Sequence, residues 1–376
     1  MQHLRRFKEV LMERALKFRR GRGEDLKKPG ECRIAIVGVG GCGNNTINRL
    51  MRLGVEGAEC IAVNTDMQHL EMVRAHRKIL IGERITRGFG AGNMPDVGRE
   101  AMLESSDEME ELLSGMDIVF VTAGMGGGTG TGAAPVIAEI ARRCGAIVIG
   151  VVTMPFKHEK GRFEYALMGL NEMRRAAHTT VIIDNNKLME VVPELPLDSA
   201  FAVADRILAN MVKGIVETIA VPSLINLDFA DFKTIMSKGD VAIVGVGQGE
   251  GERRAEEAAQ NALNHVLLDV DYKGASGALI HVSGGTDMSL SEAVRAAEYV
   301  TELMDEGAMV IWGARVNPAL NNLLRVTLIL TGVRSPQILA GYLFLEPNLY
   351  NLEPYAGPEK PLNLDLNLYQ MEQRDW

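Results

Sequence analysis

Nine residues from Gly124 to Gly132 read GMGGGTGTG, a composition that suits the binding of an anion. They follow the apolar run Asp117 to Val121 and precede a segment that we predict to be a helix opening at Pro135. In a strand, glycine turn and helix arranged this way, free backbone N–H groups and the positive helix end converge on one point. The run therefore predicts a phosphate cradle. A glycine-rich surface hairpin is the less favoured reading, because a type I′ turn needs only two such residues.

The loop lacks the Gly-Lys-Ser/Thr ending of the common phosphate loop, in which the lysine neutralises phosphate and the hydroxyl binds magnesium. A nucleotide would be held here by main-chain donors together with the hydroxyls of Thr129 and Thr131. The chemistry indicated is the binding of a nucleotide without a phosphate-loop lysine.

A second glycine loop, GVGGCGNN from Gly38 to Asn45, follows a predicted buried strand and precedes a helix that we expect to end at Gly54. Asp66 stands just after the next apolar run. Three glycines match the dinucleotide fingerprint GxGxxG, namely Gly38, Gly40 and Gly43. Alone, this loop would indicate an NAD-dependent oxidoreductase. That alternative leaves the GGGTGTG loop without a use, and the seven histidines form no catalytic constellation by their spacing.

Five separated motifs together resemble the tubulin/FtsZ family of GTPases, most closely its archaeal cell-division type, over about residues 33 to 332. They are the second glycine loop, Val63 to Asp66, Gly88 to Asn93, the GGGTGTG signature at Gly126 to Gly132, and Asn226 to Asp231. The resemblance implies a GTP-binding, GTP-hydrolysing protein that polymerises head to tail into the filaments of a division ring. It leaves open a relative with a structural role outside division.

The resemblance also implies which residues contact GTP. Contacts with GTP, chiefly with its phosphates, are expected from three glycine loops, and a further GTP contact from Asp66: Gly41, Cys42, Gly43, Asn44, Asn45, Asp66, Ala91, Gly92, Asn93, Gly126, Gly127, Gly128, Thr129, Gly130, Thr131 and Gly132. The ribose side is implied at Glu159 and Arg162, although the arginine stands three positions after the glutamate here and four in the bacterial pattern. The base is expected near Asn185, Phe201 and Asp205.

Phe201 and Asp205 are four residues apart on a predicted helix and therefore share a face. A carboxylate accepts two N–H bonds from guanine that adenine does not offer, and an aromatic ring can stack on the base. This pair favours GTP over ATP. Phe201 as ordinary core and Asp205 as an ordinary ion-pair partner remain the alternatives.

Neither glycine loop contains an acid or base that could activate water. The resemblance implies that Asn226, Asp228 and Asp231 supply this chemistry to the next subunit, with the carboxylates polarising water and helping to hold a cation. Both aspartates could instead satisfy the N–H groups of a helix start. A head-to-tail contact of this kind does not close and so builds a filament. Magnesium is the expected metal cofactor, and the sequence itself shows no dedicated metal-binding motif.

Composition limits the other classes of function. The chain has 376 residues and a net charge of −9, and its first 30 residues are basic, so the remaining body is strongly acidic and nucleic acid is not an expected partner. The four cysteines show no ligand spacing, which favours a reducing compartment and argues against zinc. No apolar stretch approaches the length of a membrane span and no secretory signal is recognisable. We expect a cytoplasmic protein acting at mid-cell on the inner face of the membrane.

Short apolar runs alternate with helical stretches, which predicts an α/β fold with a doubly wound, mostly parallel sheet. The expected divisions are a basic amphipathic helix (1–30), a GTP-binding domain (31–197), a connecting helix (198–222), a smaller α/β domain with the acidic loop (223–334) and a tail (335–376). Asp198 is predicted to cap the connecting helix, and Ser289 with Glu292 to form a capping box. The glycines from Gly245 to Gly251 are predicted to form a flexible turn.

The tail contains repeated prolines and then an alternation of leucines with polar residues. Such a segment could add a strand to the sheet of a partner, or fold back on its own domain. The resemblance places here the contact with membrane-anchoring or regulatory division proteins. The basic first segment is predicted to pack one apolar stripe on its own domain or a neighbour, or to lie on a membrane surface.

Overall fold

The computed structural model describes residues 32–156, 158–186, 197–220, 229–238, 241–264, 275–304 and 307–333. The first segment up to residue 31 and the tail from residue 334 lie outside this part, and so do the predictions made for them. The strands are β1 Ile34–Val39, β2 Ala58–Asn64, β3 Arg77–Leu80, β4 Ile118–Gly124, β5 Ile147–Met154, β6 Thr179–Asp184, β7 Val241–Glu250, β8 Gly277–Gly284, β9 Met309–Val316 and β10 Leu323–Thr331. The α-helices are α1 Gly40–Leu53, α2 Met67–Met72, α3 Glu83–Thr86, α4 Pro95–Glu104, α5 Ser106–Leu113, α6 Thr129–Arg143, α7 Lys160–Ala176, α8 Leu197–Ala220, α9 Phe229–Lys238, α10 Arg254–Asn264 and α11 Leu290–Thr301.

The strands of the described residues form one sheet in the order β3-β2-β1-β4-β5-β6-β7-β10-β8-β9. From β3 to β7 all neighbours are parallel, and β10 is antiparallel to both β7 and β8. Strands alternate with helices along the chain and most of the sheet is parallel, which confirms the predicted fold class. The sheet continues from β6 into β7 through a short parallel pairing, so the proposed domain boundary falls within one sheet and stays a prediction.

The chain order reverses between β1 and β4. The connection after β1 leads to β2 on one side, and the connection after β4 leads to β5 on the other. Open α/β sheets bind ligands at such a switch point, beyond the carboxyl ends of the strands. Every residue of β1 is buried, because helices cover both faces of the sheet there. The fold thus fixes rigidly the two strand ends from which the glycine loops start.

Helix α6 begins at Thr129, so the prediction that it opens at Pro135 was wrong. Pro135 is an interior residue of this helix and not part of its first turn. The signature residues from Thr129 to Gly132 form its first turn, and their glycines are closely packed. A Cβ on Gly132 would overlap the carbonyl oxygen of Pro95, and one on Gly130 would lie 2.5 Å from the carbonyl oxygen of Gly124. Helix α1 likewise begins within its glycine loop, at Gly40, and ends before Gly54 as expected.

The predicted flexible turn at Gly245 to Gly251 was also wrong for most of its length. Gly245, Gly247 and Gly249 lie inside β7. A Cβ on each of the three would overlap backbone atoms of α10, so the alternate glycines let this helix approach the strand at backbone distance. Gly251 follows the strand with φ +76° and is the turn residue.

Helix termini mostly follow the sequence signals. Ser289 and Glu292 form the predicted capping box at α11, with both reciprocal hydrogen bonds present. Gly145, with φ +89°, follows the end of α6. Helix α8 begins at Leu197, so Asp198 falls in its first turn and not before it. In the part of the chain that the structure describes, no helix is long and apolar enough to cross a membrane.

Candidate functional site

The two glycine loops meet at the carboxyl ends of β1 and β4. A Cβ on Gly40 would lie 3.0 Å from the backbone nitrogen of Gly130, and one on Gly43 would overlap the carbonyl oxygen of Thr122. Cys42 Sγ lies 3.3 Å from Thr153 Oγ1, at the end of the next strand. The loops therefore form one continuous surface across three neighbouring strand ends.

Two helix N-termini open onto this surface without a side-chain cap. Val39 precedes α1 and Gly128 precedes α6, and neither supplies a capping hydrogen bond. The first turns of both helices contain no acidic residue. The first N–H groups of a helix have no partner within it, and each helix end carries about half a positive charge. Two uncapped helices of 14 and 15 residues at one crevice make a site for a strongly anionic group.

The signature loop is held in shape from within and from α7. The backbone N–H of Gly126 donates a hydrogen bond of 2.8 Å to Thr131 Oγ1. Gly126 has φ +98°, and a Cβ there would lie 2.8 Å from the carbonyl oxygen of Arg162. Thr131, which was expected to contact GTP, therefore braces the loop through its hydroxyl.

A third loop, from Gly88 to Asn93, packs on the signature loop. A Cβ on Gly128 would lie 2.8 Å from Ala91 Cβ and 2.9 Å from the backbone nitrogen of Met94. Gly88, Gly90 and Gly92 have positive φ, as does Asn93 at +62°. Ala91 is buried whereas Gly92 and Asn93 are exposed.

A pair of threonines ties these loops to the end of β2. Thr65 Oγ1 and Thr129 Oγ1 share a hydrogen bond of 2.7 Å. The carbonyl oxygen of Thr65 also accepts from Thr86 Oγ1 and from the N–H of Gly90. Thr65 belongs to a motif that the sequence singled out, but its connecting role was missed, because the pairing of two hydroxyls 64 residues apart leaves no local signal.

Asp66 caps α2, since its Oδ1 accepts a hydrogen bond of 3.1 Å from the N–H of His69. An isolated bridge between Asp66 and Phe89 places this carboxylate beside the third loop. Among the described residues, no cluster of three His, Cys, Asp or Glu side chains could hold a metal. Magnesium keeps several waters and binds through substrate phosphates with one or two carboxylates. The donor set, one carboxylate beside an anion site, fits magnesium.

The glycines of the loops fall into two groups. Most have a neighbour that a Cβ would strike, so packing of the protein explains them. Gly41 and Gly127 have nothing within 4 Å of an added Cβ, and neither has a positive φ. Glycine at these two positions is required only if a ligand approaches the backbone closely.

We predict that Gly127→Ala lowers GTP affinity at least about tenfold and leaves the free energy of unfolding within about 0.5 kcal/mol of the parent. The added methyl group occupies open space in the free protein, and it would stand where a phosphate must approach. Nucleotide titration and thermal melting measure the two quantities. Gly307→Ala is the control, because its Cβ also meets nothing within 4 Å and lies outside the loops. Undiminished GTP affinity in Gly127→Ala would exclude this part of the cradle.

Asn44 is a buried polar side chain without a partner beside the second glycine loop. Its side chain is 0% exposed, and neither its amide nitrogen nor its amide oxygen has a hydrogen-bond partner in the structure. A buried polar group without a partner costs about 1–3 kcal/mol. Asn44 lies in the second turn of α1, directly after Gly43, and so belongs to the wall of the anion site.

We predict that Asn44→Leu raises the melting temperature of the free protein and abolishes most of the further rise that GTP causes. Leucine has a similar shape and leaves no unsatisfied amide, but it offers nothing to a nucleotide. Thermal melts with and without GTP measure both effects. Asn48→Leu is the matched control, because Asn48 accepts a hydrogen bond from the N–H of Arg74 and should leave the GTP response unchanged. Full GTP stabilisation of Asn44→Leu would refute the assignment.

Glu159 and Arg162 lie beside the signature loop as an ion pair, with 2.7 Å between Arg162 Nη1 and Glu159 Oε2. Glu159 Oε1 also accepts from the N–H of Phe156 at 3.2 Å. The arginine side chain is 55% exposed, so it is accessible to a ligand. The three-residue spacing places both groups on one side of the first turn of α7.

The base-recognition residues are only partly described. Asn185 follows β6 directly and is half-buried. Nothing is described of the Phe201 side chain. Asp205 lies on α8 against α1, where burial raises its pKa to about 6 and the charge of Arg49 opposes that rise. The Cys42 thiol responds to the charge of Asp205, and its own pKa is raised to about 11, chiefly by burial. Asp205 therefore lies next to the second glycine loop.

Asp231 is the one predicted acidic residue of this loop that the structure describes, and it lies far from the other site residues. Asn226 and Asp228 lie outside the described residues, and Asp231 is exposed in the first turn of α9. Helix α9 packs at the amino-terminal edge of the sheet, because Thr179 Oγ1, at the start of β6, donates to the carbonyl oxygen of Met236. The glycine loops lie at the opposite edge. Strands of six to eight residues separate the two edges by about 20–25 Å.

The family models, the curated relatives and the solved structures that match this chain all belong to one family. A family model described as "Tubulin/FtsZ family, GTPase domain" matches residues 33–193, and one described as "FtsZ family, C-terminal domain" matches residues 240–334. Over 313 residues the chain is 56% identical to Cell division protein FtsZ 2 of Methanocaldococcus jannaschii, with 82% of each chain covered. It is 50% identical over 350 residues to Cell division protein FtsZ 1 of Thermococcus kodakarensis, covering 92% of this chain and 91% of the relative. A solved structure, "FtsZ dimer, empty (M. jannaschii)", superposes with a TM-score of 0.77 at 49% identity, covering 81% of this chain and 89% of that one.

Proposed function

The chain belongs to the tubulin/FtsZ family of GTPases, and from that premise we propose that it hydrolyses GTP at a site shared by two successive subunits of a filament. One observation carries the proposal. The anion site and the acidic helix α9 lie at opposite edges of one sheet, about 20–25 Å apart, so one molecule does not bring its own Asp231 to its own triphosphate. Stacking in the same orientation brings one edge against the other.

Within one subunit, the residues at the carboxyl edge grip the nucleotide. The N–H groups at the starts of α1 and α6 receive the phosphates, and the backbone of Gly92 and Asn93, both exposed residues, approaches the terminal one. Glu159 and Arg162 hold the ribose side. Asp205 in its charged form accepts from guanine N1–H and the exocyclic amine, which adenine does not supply. Magnesium, when bound, would neutralise charge on the β- and γ-phosphates beside Asp66.

The next subunit completes the site. Asn226 orients the attacking water, and Asp228 and Asp231 polarise it in line with the leaving oxygen. Phosphoryl transfer depends chiefly on positioning and on electrostatic stabilisation, so a preformed cradle and a docked acidic loop suffice. Because the contact is head to tail, repeating it generates a homopolymer.

We further propose that the filament acts in a division ring at the inner face of the membrane. The tail from residue 335 would bind membrane-anchoring or regulatory division proteins through its apolar and polar alternation. Microscopy of cells that express the protein without this tail tests the proposal, and a ring that forms normally would contradict it.

Light scattering and phosphate release, followed with GTP, ATP and GDP at several protein concentrations, test the function as a whole. We expect both signals with GTP alone and only above a threshold concentration. Equal signals with ATP would refute guanine selection. Assembly without phosphate release would favour a structural relative that has lost hydrolysis. A shift in nicotinamide fluorescence on mixing would revive the oxidoreductase alternative.

A further inference from the structure

Helices α1 and α8 pack side by side. The buried side chains of Leu50, on α1, and Leu208, on α8, belong to the same hydrophobic cluster. At the far end, Lys213 Nζ on α8 donates a hydrogen bond of 3.0 Å to the carbonyl oxygen of Leu53, at the end of α1. That bond fixes the register of the two helices.

Helices α1 and α8 run in the same direction, because each lies between two parallel strands of the sheet, and their register sets Asp205 level with the part of α1 between Cys42 and Arg49. Asp205 precedes Lys213 by eight residues on α8. Both helices rise about 1.5 Å per residue, so Asp205 lies level with the position eight residues before Leu53 on α1. That position is midway between Cys42 and Arg49. Cys42 and Arg49 are seven residues, or two turns, apart and so share a face of α1. The electrostatic contacts agree with this level, because Asp205 interacts with Arg49 and Cys42 interacts with Asp205.

The carboxylate needs such a neighbour. Asp205 is half-buried, and burial raises its pKa to about 6, which would leave it partly protonated in mildly acidic conditions. A protonated carboxyl loses one of the two acceptors that guanine requires. Among the described residues, Arg49 is the charged group that opposes this rise. The Cys42 thiol stays neutral because its own pKa is about 11, and Arg206 lies about 100° away around α8.

We propose that Arg49 is a positioning residue for base recognition, which holds the Asp205 carboxylate in its charged form and sets the pH below which the protein loses GTP. The inference rests on the proposed role of Asp205 in binding guanine. Arg49 does not itself touch the nucleotide. It acts across the packed faces of α1 and α8, so its effect appears in the pH dependence of GTP affinity and not only in affinity at one pH.

The direction of the pH dependence of GTP affinity follows from the raised pKa of Asp205. Guanine binds the ionised carboxylate, so GTP affinity is fully present above the pKa of the free protein and falls about tenfold per pH unit below it. For the parent this decline begins near pH 6. Removing the positive charge raises the pKa further, so the decline begins at a higher pH.

The experiment is a series of GTP titrations of the full chain between about pH 5.5 and about pH 8.5. The parent is compared with three variants. Arg49→Met should move the midpoint of the decline upward by at least about one pH unit and recover parental affinity at the alkaline end. Arg49→Lys should keep the parental midpoint, because the charge remains. Arg52→Met, an exposed residue of the same helix, should also keep it. An unmoved midpoint in Arg49→Met, or an equal shift in Arg52→Met, would overturn the inference.

A fifth protein separates this inference from the proposed function. Asp205→Asn should bind GTP weakly at every pH and prefer xanthosine triphosphate, whose base has a carbonyl in place of the exocyclic amine. If that preference does not change, the base assignment of the proposed function fails. If it changes while the Arg49→Met midpoint stays parental, the role of Arg49 alone is wrong.

Discussion

Asp231→Ala is expected to lower GTP turnover by about 10²- to 10⁴-fold while leaving the GTP affinity of each subunit unchanged. The size of the loss is that of removing a group that positions or polarises water in the transition state. Affinity should not change, because α9 lies at the edge of the sheet opposite the anion site of its own subunit. The same result is expected for Asp228→Ala. Phosphate release per sedimented subunit measures turnover, so a loss of assembly is distinguished from a loss of chemistry.

Asp107→Ala is the matched control for Asp231→Ala. Asp107 is likewise an exposed aspartate in the first turn of a short helix, α5, so its removal costs the same favourable interaction with a helix N-terminus. It lies outside the proposed site and should keep parental turnover. If filaments of Asp231→Ala hydrolysed GTP at the parental rate, Asp231 would be only a helix-start residue.

The second large effect is expected from Gly132→Ala. A Cβ at this position would overlap the carbonyl oxygen of Pro95 and lie 2.6 Å from the backbone nitrogen of Arg99. Neither is a side chain that can move aside, so α4 must separate from α6. We expect the free energy of unfolding to fall by about 3 kcal/mol. Because α4 follows the third loop directly, GTP affinity should fall with it. Chemical denaturation and nucleotide titration measure the two.

Gly214→Ala is the control for this substitution. It also adds a methyl group to a helical glycine, but the nearest atom is Thr327 Cγ2 at 3.3 Å, the end of a side chain that can adjust. Its effect on stability should stay within about 1 kcal/mol. Parental stability and parental GTP affinity in Gly132→Ala would show that the contact between α4 and α6 does not support the site.

The fold was largely predictable from the sequence, because each buried parallel strand is a run of apolar residues between helical segments. The positions of the glycine loops followed from the same pattern, since parallel strands end at one edge. The predictions that were wrong concern the local structure around proline and glycine residues. The sequence predicts a helix start at Pro135 and a turn near Gly247, whereas Pro135 is interior to α6 and the glycines let α10 pack closely on β7. Such contacts depend on tertiary neighbours.

The candidate site was predictable in outline and not in its internal connections. Glycines, threonines and Asp66 marked the loops, but the Thr65–Thr129 hydrogen bond and the unpartnered amide of Asn44 arise only when distant segments meet. The two-turn spacing of Arg49 from Cys42 indicates only that the two residues share a face of α1. Without the register given by Lys213, that spacing does not identify Asp205 as its partner.

The most direct test of the shared site is GTP turnover per subunit measured across a dilution series, alongside sedimentation of the same samples. The account predicts that turnover per subunit collapses at the concentration where filaments disappear, and that GTP remains bound to the dispersed subunits. Turnover at the full filament rate by protein that sedimentation shows to be monomeric would contradict it.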